Sequence, residues 1–133
     1  MVAGLACKLW PTHGMVELQN EFELTLQSGR DAVFVAEIGS CPVGFAHCSL
    51  RSDYVEGTQS SPVGYLEGVF VEEEFRLQGV ASDLVSACEN WARNEGCTEF
   101  ASDCDLENEL SRRFHAGVGF REANRIVCFA KKL

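Results

Sequence analysis

The apolar positions of this chain switch between a helical and an alternating period, and glycine or proline marks each switch. Residues 1–9 are short, apolar and helix-compatible, and Trp10-Pro11 stops them because proline cannot continue a helix. A second helix is predicted from Gly14 to about Gln27. Val16, Leu18, Phe22 and Leu26 give it an imperfect stripe, and Ser28-Gly29-Arg30 closes it. The period then changes. Ala32–Ile38 and Val43–Leu50 read as strands around a turn at Gly39-Ser40-Cys41-Pro42. Val63–Val71 reads as a third strand, in which Gly68 signals a bulge or a close backbone approach. Val80–Asn94 is the best helix, with Val80, Leu84, Val85, Cys88, Trp91 and Ala92 on one face and Gly96 as its stop. Cys97–Ser102 is predicted as a short strand. A helix follows from about Leu106 to Ala116, turning Leu106, Leu110 and Phe114 inward. Phe120–Ala123 and Ile126–Ala130 finish the chain as strands. This order predicts an α/β (α+β) protein, a mixed sheet with helices on both sides.

At 133 residues the chain is expected to be a single domain, residues 1–133, with one core. No apolar run approaches the ~20 residues needed to cross a membrane, and the N-terminus lacks a secretory pattern, so no membrane partner is expected. The seven cysteines contain no C-x-x-C pair, and several lie inside apolar runs. They read as reduced thiols in a cytoplasmic protein, not as a disulfide framework or a zinc site, and no metal is expected. The formal charge is −9, and between Asp53 and Glu107 thirteen acids face only two bases, Arg76 and Arg93. Such a surface argues against nucleic acid. It suits a cationic small molecule, although acidity alone is better explained by solubility.

Candidate chemistry gathers around Val69–Ala81 (VFVEEEFRLQGVA). A strand there runs through an acidic loop into Arg76-Leu77-Gln78-Gly79-Val80-Ala81 at a helix start. Free amides and the positive end of the helix dipole favour a phosphate, Gly79 allows close backbone approach, and the small Ala81 leaves room. An ordinary strand–loop–helix junction carries the same residues, and R-x-x-G-x-A alone does not separate the two. The polar loop Arg51–Pro62, with Asp53, Tyr54 and Glu56, is longer than a plain connection requires, which makes it a functional candidate.

Taken together, several motifs carry a resemblance: Leu9-Trp10-Pro11 with His13, Ser52-Asp53-Tyr54-Val55, Ser61-Pro62, Leu66-Glu67-Gly68-Val69-Phe70-Val71 and Arg76-x-x-Gly79-Val80-Ala81. Gly96-Cys97, Ala101-Ser102-Asp103, Asn108, His115 and Gly119-Phe120 complete it. From Leu9 to Leu133 the chain resembles the GCN5-related N-acetyltransferase (GNAT) superfamily, and more narrowly the bacterial aminoglycoside 6′-N-acetyltransferases. The resemblance implies a mostly antiparallel central sheet flanked by helices, opened by two splayed parallel strands, Val63–Val71 and Cys97–Ser102, with Gly68 at the bulge. Acetyl-CoA would lie in that opening. Val69, Phe70 and Val71 would line the pantetheine arm, and Arg76 with the amides of Leu77, Gln78, Gly79, Val80 and Ala81 would hold the pyrophosphate. The N–H of Val69 would stabilise the oxyanion. Glu67 and Asp103 are the implied carboxylates that bind the acceptor ammonium and take its proton. Trp10, His13, Asp53 and Tyr54 would hold the sugar rings.

On the residues alone, Glu67 could simply face solvent and Asp103 could be a helix N-cap. His115 stands where many relatives carry a tyrosine that protonates the departing thiolate. It serves equally as a structural histidine at a helix end. Asn108 would touch the pantetheine or order the helix start, and Cys104 is not expected to act as a nucleophile. Relatives normally begin with a strand that is not evident here. That leaves Ala32–Ile38 as an open sheet edge, and a homodimer partner could cover it.

Overall fold

A computed structural model describes residues 29–38 and 41–133. Four strands form one sheet: β1 (Asp31–Ile38), β2 (Cys41–Arg51), β3 (Val63–Val71) and β4 (Phe100–Ala101), neighbours in that order. The first three run antiparallel, whereas β4 lies parallel to β3. Parallel neighbours need a crossover. Here it is a single 3-10 turn at Glu73–Phe75 followed by helix α1 (Val80–Asn94). Helix α2 (Glu109–Gly117) follows β4.

The core sits where α1 crosses β1, β2 and β3. Leu84, Val85, Cys88 and Ala92 are the buried positions of the helix. Leu84, Val85 and Cys88 close on Ala32, Ala46, Cys48, Leu66 and Val71 of the sheet. Each large apolar side chain buried this way contributes about 1.5–3 kcal/mol. Cys48 and Cys88 are both free and fully buried. Hydrogen bonding to Cys88, then burial, pushes the Cys48 thiol up, so it remains protonated and packs as a small apolar group. A second cluster, Val55, Val63, Tyr65 and Ala101, anchors the long loop under the β3–β4 junction.

Gly64 is the closest approach in that junction. A Cβ placed there would meet Ala92 Cβ at 2.6 Å and Phe100 Cδ1 at 2.7 Å. Gly64→Ala should therefore lower stability by about 1–3 kcal/mol through overpacking. Denaturant unfolding checks this, and an unmoved midpoint would mean the junction has slack.

Several sequence expectations are corrected. The first hairpin is tighter than predicted. β2 begins at Cys41, and Pro42 is accommodated beside a register shift between Ala36 and Glu37. The bulge in β3 is at Glu67 and not at Gly68: His47 faces Gly68 and Cys48 faces Leu66, leaving Glu67 as the extra residue. The strand expected over Cys97–Ser102 is only Phe100–Ala101, because pairing with β3 ends at Tyr65↔Ala101, just before the bulge. α2 starts three residues late, since the Asn108 side chain accepts the Ser111 N–H at 3.1 Å and fixes the first turn there. Leu106 and Leu110 are 54% and 80% exposed, so only Phe114 of that trio is turned inward. Phe120–Ala123 and Ile126–Ala130 form no strands. Apolar patterning permits a strand, but a ladder needs a neighbour, and none of the described strands pairs with them. The helices predicted over residues 1–9 and 14–27, and Gly39-Ser40, lie outside the described residues.

Candidate functional site

The chemistry-bearing residues collect where β3 and β4 part. Beyond Tyr65 and Ala101 the two strands no longer pair, so the β3 edge from Leu66 onward has no strand beside it among the described residues. The bulge turns Glu67 out of the ladder at this point. Three groups hold its carboxylate. Arg51 Nη2 donates to Oε1 and Oε2 at 3.0 Å each, Arg51 Nε reaches Oε2 at 3.3 Å, and Ser49 Oγ donates to Oε2. The same guanidinium lies over the Tyr65 ring, its carbon 3.5 Å from the centroid, a cation–π contact. Tyr65 in turn donates its hydroxyl to Asp103 Oδ2. Burial, then the hydrogen bond to Asp103, pushes the phenol well above its ordinary range, so Tyr65 stays a donor. One guanidinium and one phenol thus connect the two carboxylates named from sequence. Helix α2 is capped by Asn108, so Asp103 is not its cap.

The charges are unequal. Glu67 is matched by Arg51, whereas among the described residues Asp103 is held by a neutral phenol. A cation entering here therefore meets its uncompensated negative charge at Asp103.

The turn after β3 is open to a ligand. Arg76 Nε donates to the Val71 carbonyl at 2.9 Å, pinning the turn to the strand end. Leu77 and Gly79 adopt positive φ of 63° and 86°, and a Cβ built on Gly79 would meet nothing within 4 Å. Among the described residues, the N–H groups of Leu77, Gln78, Gly79, Val80 and Ala81 find no backbone acceptor. Five donors around one helix start suit a diphosphate. The unpaired edge of Val69, Phe70 and Val71 suits an extended arm that adds as a strand. The residues present fit acetyl-CoA.

His115 is held at both ring nitrogens. Nδ1 lies 2.7 Å from the Ser111 carbonyl and Nε2 lies 2.8 Å from Ser102 Oγ, with Phe114 and Phe120 at its ring. Ser102 Oγ also donates to the Leu66 carbonyl at 3.2 Å, spanning the mouth of the parting.

The long loop is fastened, not slack. The Glu99 carboxylate accepts the N–H of Gln59 and Ser60 at 2.8 and 2.9 Å, and the Ser60 hydroxyl and those amides draw its pKa down. Val55 is buried while its neighbour Tyr54 is 77% exposed, so the anchor presents the aromatic ring outward. Asp53 and Tyr54, with Arg30, Leu50, Arg51 and Ser52, line an open cavity of about 330 Å³. Arg51 both lines this cavity and holds Glu67, which connects loop and carboxylates. Trp10 and His13 lie outside the described residues.

Sequence reasoning missed Arg51, Tyr65, Ser49 and Ser102. A two-residue alternation back from Glu67 reaches Tyr65, which was the available signal. Arg51 and Ser49 lie across the ladder, and their partnership depends on the register shift that no local pattern reports.

A sheet parted beside a bulge, ahead of an amide-lined turn, defines an acyl-CoA-dependent acyltransferase fold. Residues 3–120 match the acetyltransferase (GNAT) family, and the chain belongs to it. It is 42% identical over 129 residues to aminoglycoside N(6′)-acetyltransferase type 1 of Acinetobacter baumannii, spanning 97% of this chain and 88% of that protein. The Salmonella typhimurium protein of the same name is also 42% identical, over 97% of this chain and 89% of its own length. Among solved structures, AAC(6′)-Iy in complex with the bisubstrate analogue CoA-S-monomethyl-acetylneamine is 41% identical. It superposes with a TM-score of 0.92 over 98% of this chain and 89% of that one.

Proposed function

We infer that the chain is an acetyl-CoA-dependent N-acetyltransferase that passes acetyl directly to the 6′-amine of aminoglycosides, the reaction of an antibiotic-resistance enzyme. The observation that carries this is the pair Glu67–Asp103, tied together by Arg51 and Tyr65 at the mouth of the parted strands. Near-full-length identity to proteins of that name supports the acceptor. Acetyl-CoA supplies the acyl group, and the parted strands and turn would hold it as described. The Val69 N–H would stabilise the oxyanion that develops on the acyl group.

The acceptor reaches the enzyme mostly as an ammonium, and it must lose a proton to attack. Asp103, the carboxylate with uncompensated charge, binds that ammonium and receives its proton, while the Tyr65 hydroxyl fixes its direction. Glu67, already paired, orients the sugar amine. Asp53 and Tyr54 hold the rings from the loop. Asn108 sets the start of α2 and would touch the cofactor arm from there.

The protein acts as a cytoplasmic homodimer in this reading. Six described cysteines are free. No helix among the described residues is long and apolar enough to cross a membrane. The final segment exposes Ile126 (69%), Val127 (77%) and Phe129 (91%) and pairs with no strand among the described residues, and its bases Arg121, Arg125, Lys131 and Lys132 outnumber the single acid Glu122. Such an arm complements the acidic body of a second copy.

Thiol release from acetyl-CoA tests the acceptor. Release with kanamycin or tobramycin but not with spermidine is expected. Release with spermidine or a peptide amine alone would make the acceptor another cation, and CoA binding without turnover would make the chain a binding module.

A further inference from the structure

We propose that Ser102 is the group that protonates the departing CoA thiolate, recharged by His115 behind it. The proposal rests on the acetyltransferase reading above and assigns a step that reading leaves open. His115 itself does not face the parting freely, because each ring nitrogen already has a partner. Ser102 does. Its Oγ stands between His115 Nε2 at 2.8 Å and the Leu66 carbonyl at 3.2 Å, at the first position where β3 and β4 cease to pair.

Proton bookkeeping supports the assignment. The Ser111 carbonyl can only accept, so the nitrogen 2.7 Å from it, Nδ1, carries a hydrogen. Ser102 has one hydroxyl hydrogen and two acceptors within reach. When Nε2 is bare, the hydroxyl turns to it and Leu66 loses its donor. When Nε2 also carries a hydrogen, Nε2–H donates to Oγ and the hydroxyl donates to Leu66, satisfying every group. In that second state the hydroxyl hydrogen lies on the Leu66 carbonyl, at the mouth of the parting, with a doubly protonated imidazole behind it.

The step balances. The acceptor nitrogen bonds to the thioester carbon, the carbon–sulfur bond breaks, and its electron pair leaves on sulfur. The Ser102 hydroxyl proton passes to that sulfur, giving CoA thiol. The Nε2 proton moves onto Ser102 Oγ, and His115 is left neutral with Nδ1–H still on the Ser111 carbonyl. Water restores the Nε2 proton, and the acceptor nitrogen separately gives up its proton through Asp103.

Two readouts test this. In the free protein, nitrogen NMR of the His115 ring should place a hydrogen on Nδ1, and Ser102→Ala should move the Nε2 signal and leave Nδ1 in place. In turnover, Ser102→Ala should lower kcat by about 10²-fold, the scale of one general acid, with acetyl-CoA affinity unchanged. Ser102→Thr, which keeps the hydroxyl, should recover most of that loss. Ser102→Ala with His115→Gln should be no worse than Ser102→Ala alone, because the two act in series. A Ser102→Ala enzyme with kcat within twofold overturns the relay, as do additive losses or an unmoved Nε2 signal. Acetyl trapped on Ser102 by mass spectrometry overturns it in favour of a covalent step. If the unaltered protein fails to bind acetyl-CoA, the acetyltransferase reading falls and the relay with it; full binding with an undiminished Ser102→Ala removes the relay alone.

Discussion

Asp103→Asn should lower turnover by about 10²-fold, the contribution of one well-placed general base, while the KM for acetyl-CoA stays where it is. The substitution keeps the shape and an oxygen that can still accept the Tyr65 hydroxyl, so the local structure survives. What it removes is the net negative charge and the capacity to take a proton. Aminoglycoside affinity should fall as well, because the ammonium loses the one carboxylate not matched by Arg51. The melting temperature should hardly move, since the cap of α2 is Asn108. Steady-state kinetics against both substrates, with a thermal melt, checks all of this. Turnover within twofold of the parent would hand the proton-accepting role to Glu67.

Gly79→Asp should abolish CoA binding, weakening it by well over about 10²-fold, because a carboxylate would then face the diphosphate among the very amides meant to hold it. Space is no obstacle, as nothing lies within 4 Å of an added Cβ. The positive φ of 86° is one that aspartate tolerates at a cost of roughly 1–2 kcal/mol. The fold should therefore persist with a slightly lower melting temperature. Gly79→Ala carries the backbone strain without the charge and separates the two effects. Calorimetric titration with CoA reads the result, and unchanged affinity in Gly79→Asp would remove the turn from the site.

Both predictions concern residues that the sequence named, and the contrast with what it missed is instructive. The span of α1 and of β3 is visible in local periodicity, because a buried stripe and a run between turns each leave a signature in consecutive residues. The turn at Gly79 is visible for the same reason. Asp103 and Glu67 were visible as acids on either side of a predicted splay. Their linkage was not, because Arg51 and Ser49 reach Glu67 across the ladder only where β3 slips by one residue. The shortening of β4 follows from that same slip. The C-terminal strands illustrate the opposite error: Ile126, Val127 and Phe129 have strand patterning, but whether it becomes a ladder depends on a neighbour that the pattern cannot supply. His115 was legible as a polar residue near a helix end. Its engagement with Ser102 depends on how α2 docks against β4.

The claim beneath the whole account is that acetyl-CoA lies in the parted strands with its diphosphate on the turn, and amide NMR during a CoA titration tests it most directly. The account predicts that the N–H signals of Leu77 to Ala81 and of Val69 shift together and saturate at one affinity, while those of β1 stay still. Saturable CoA binding that leaves the Leu77–Ala81 amides unmoved would contradict it.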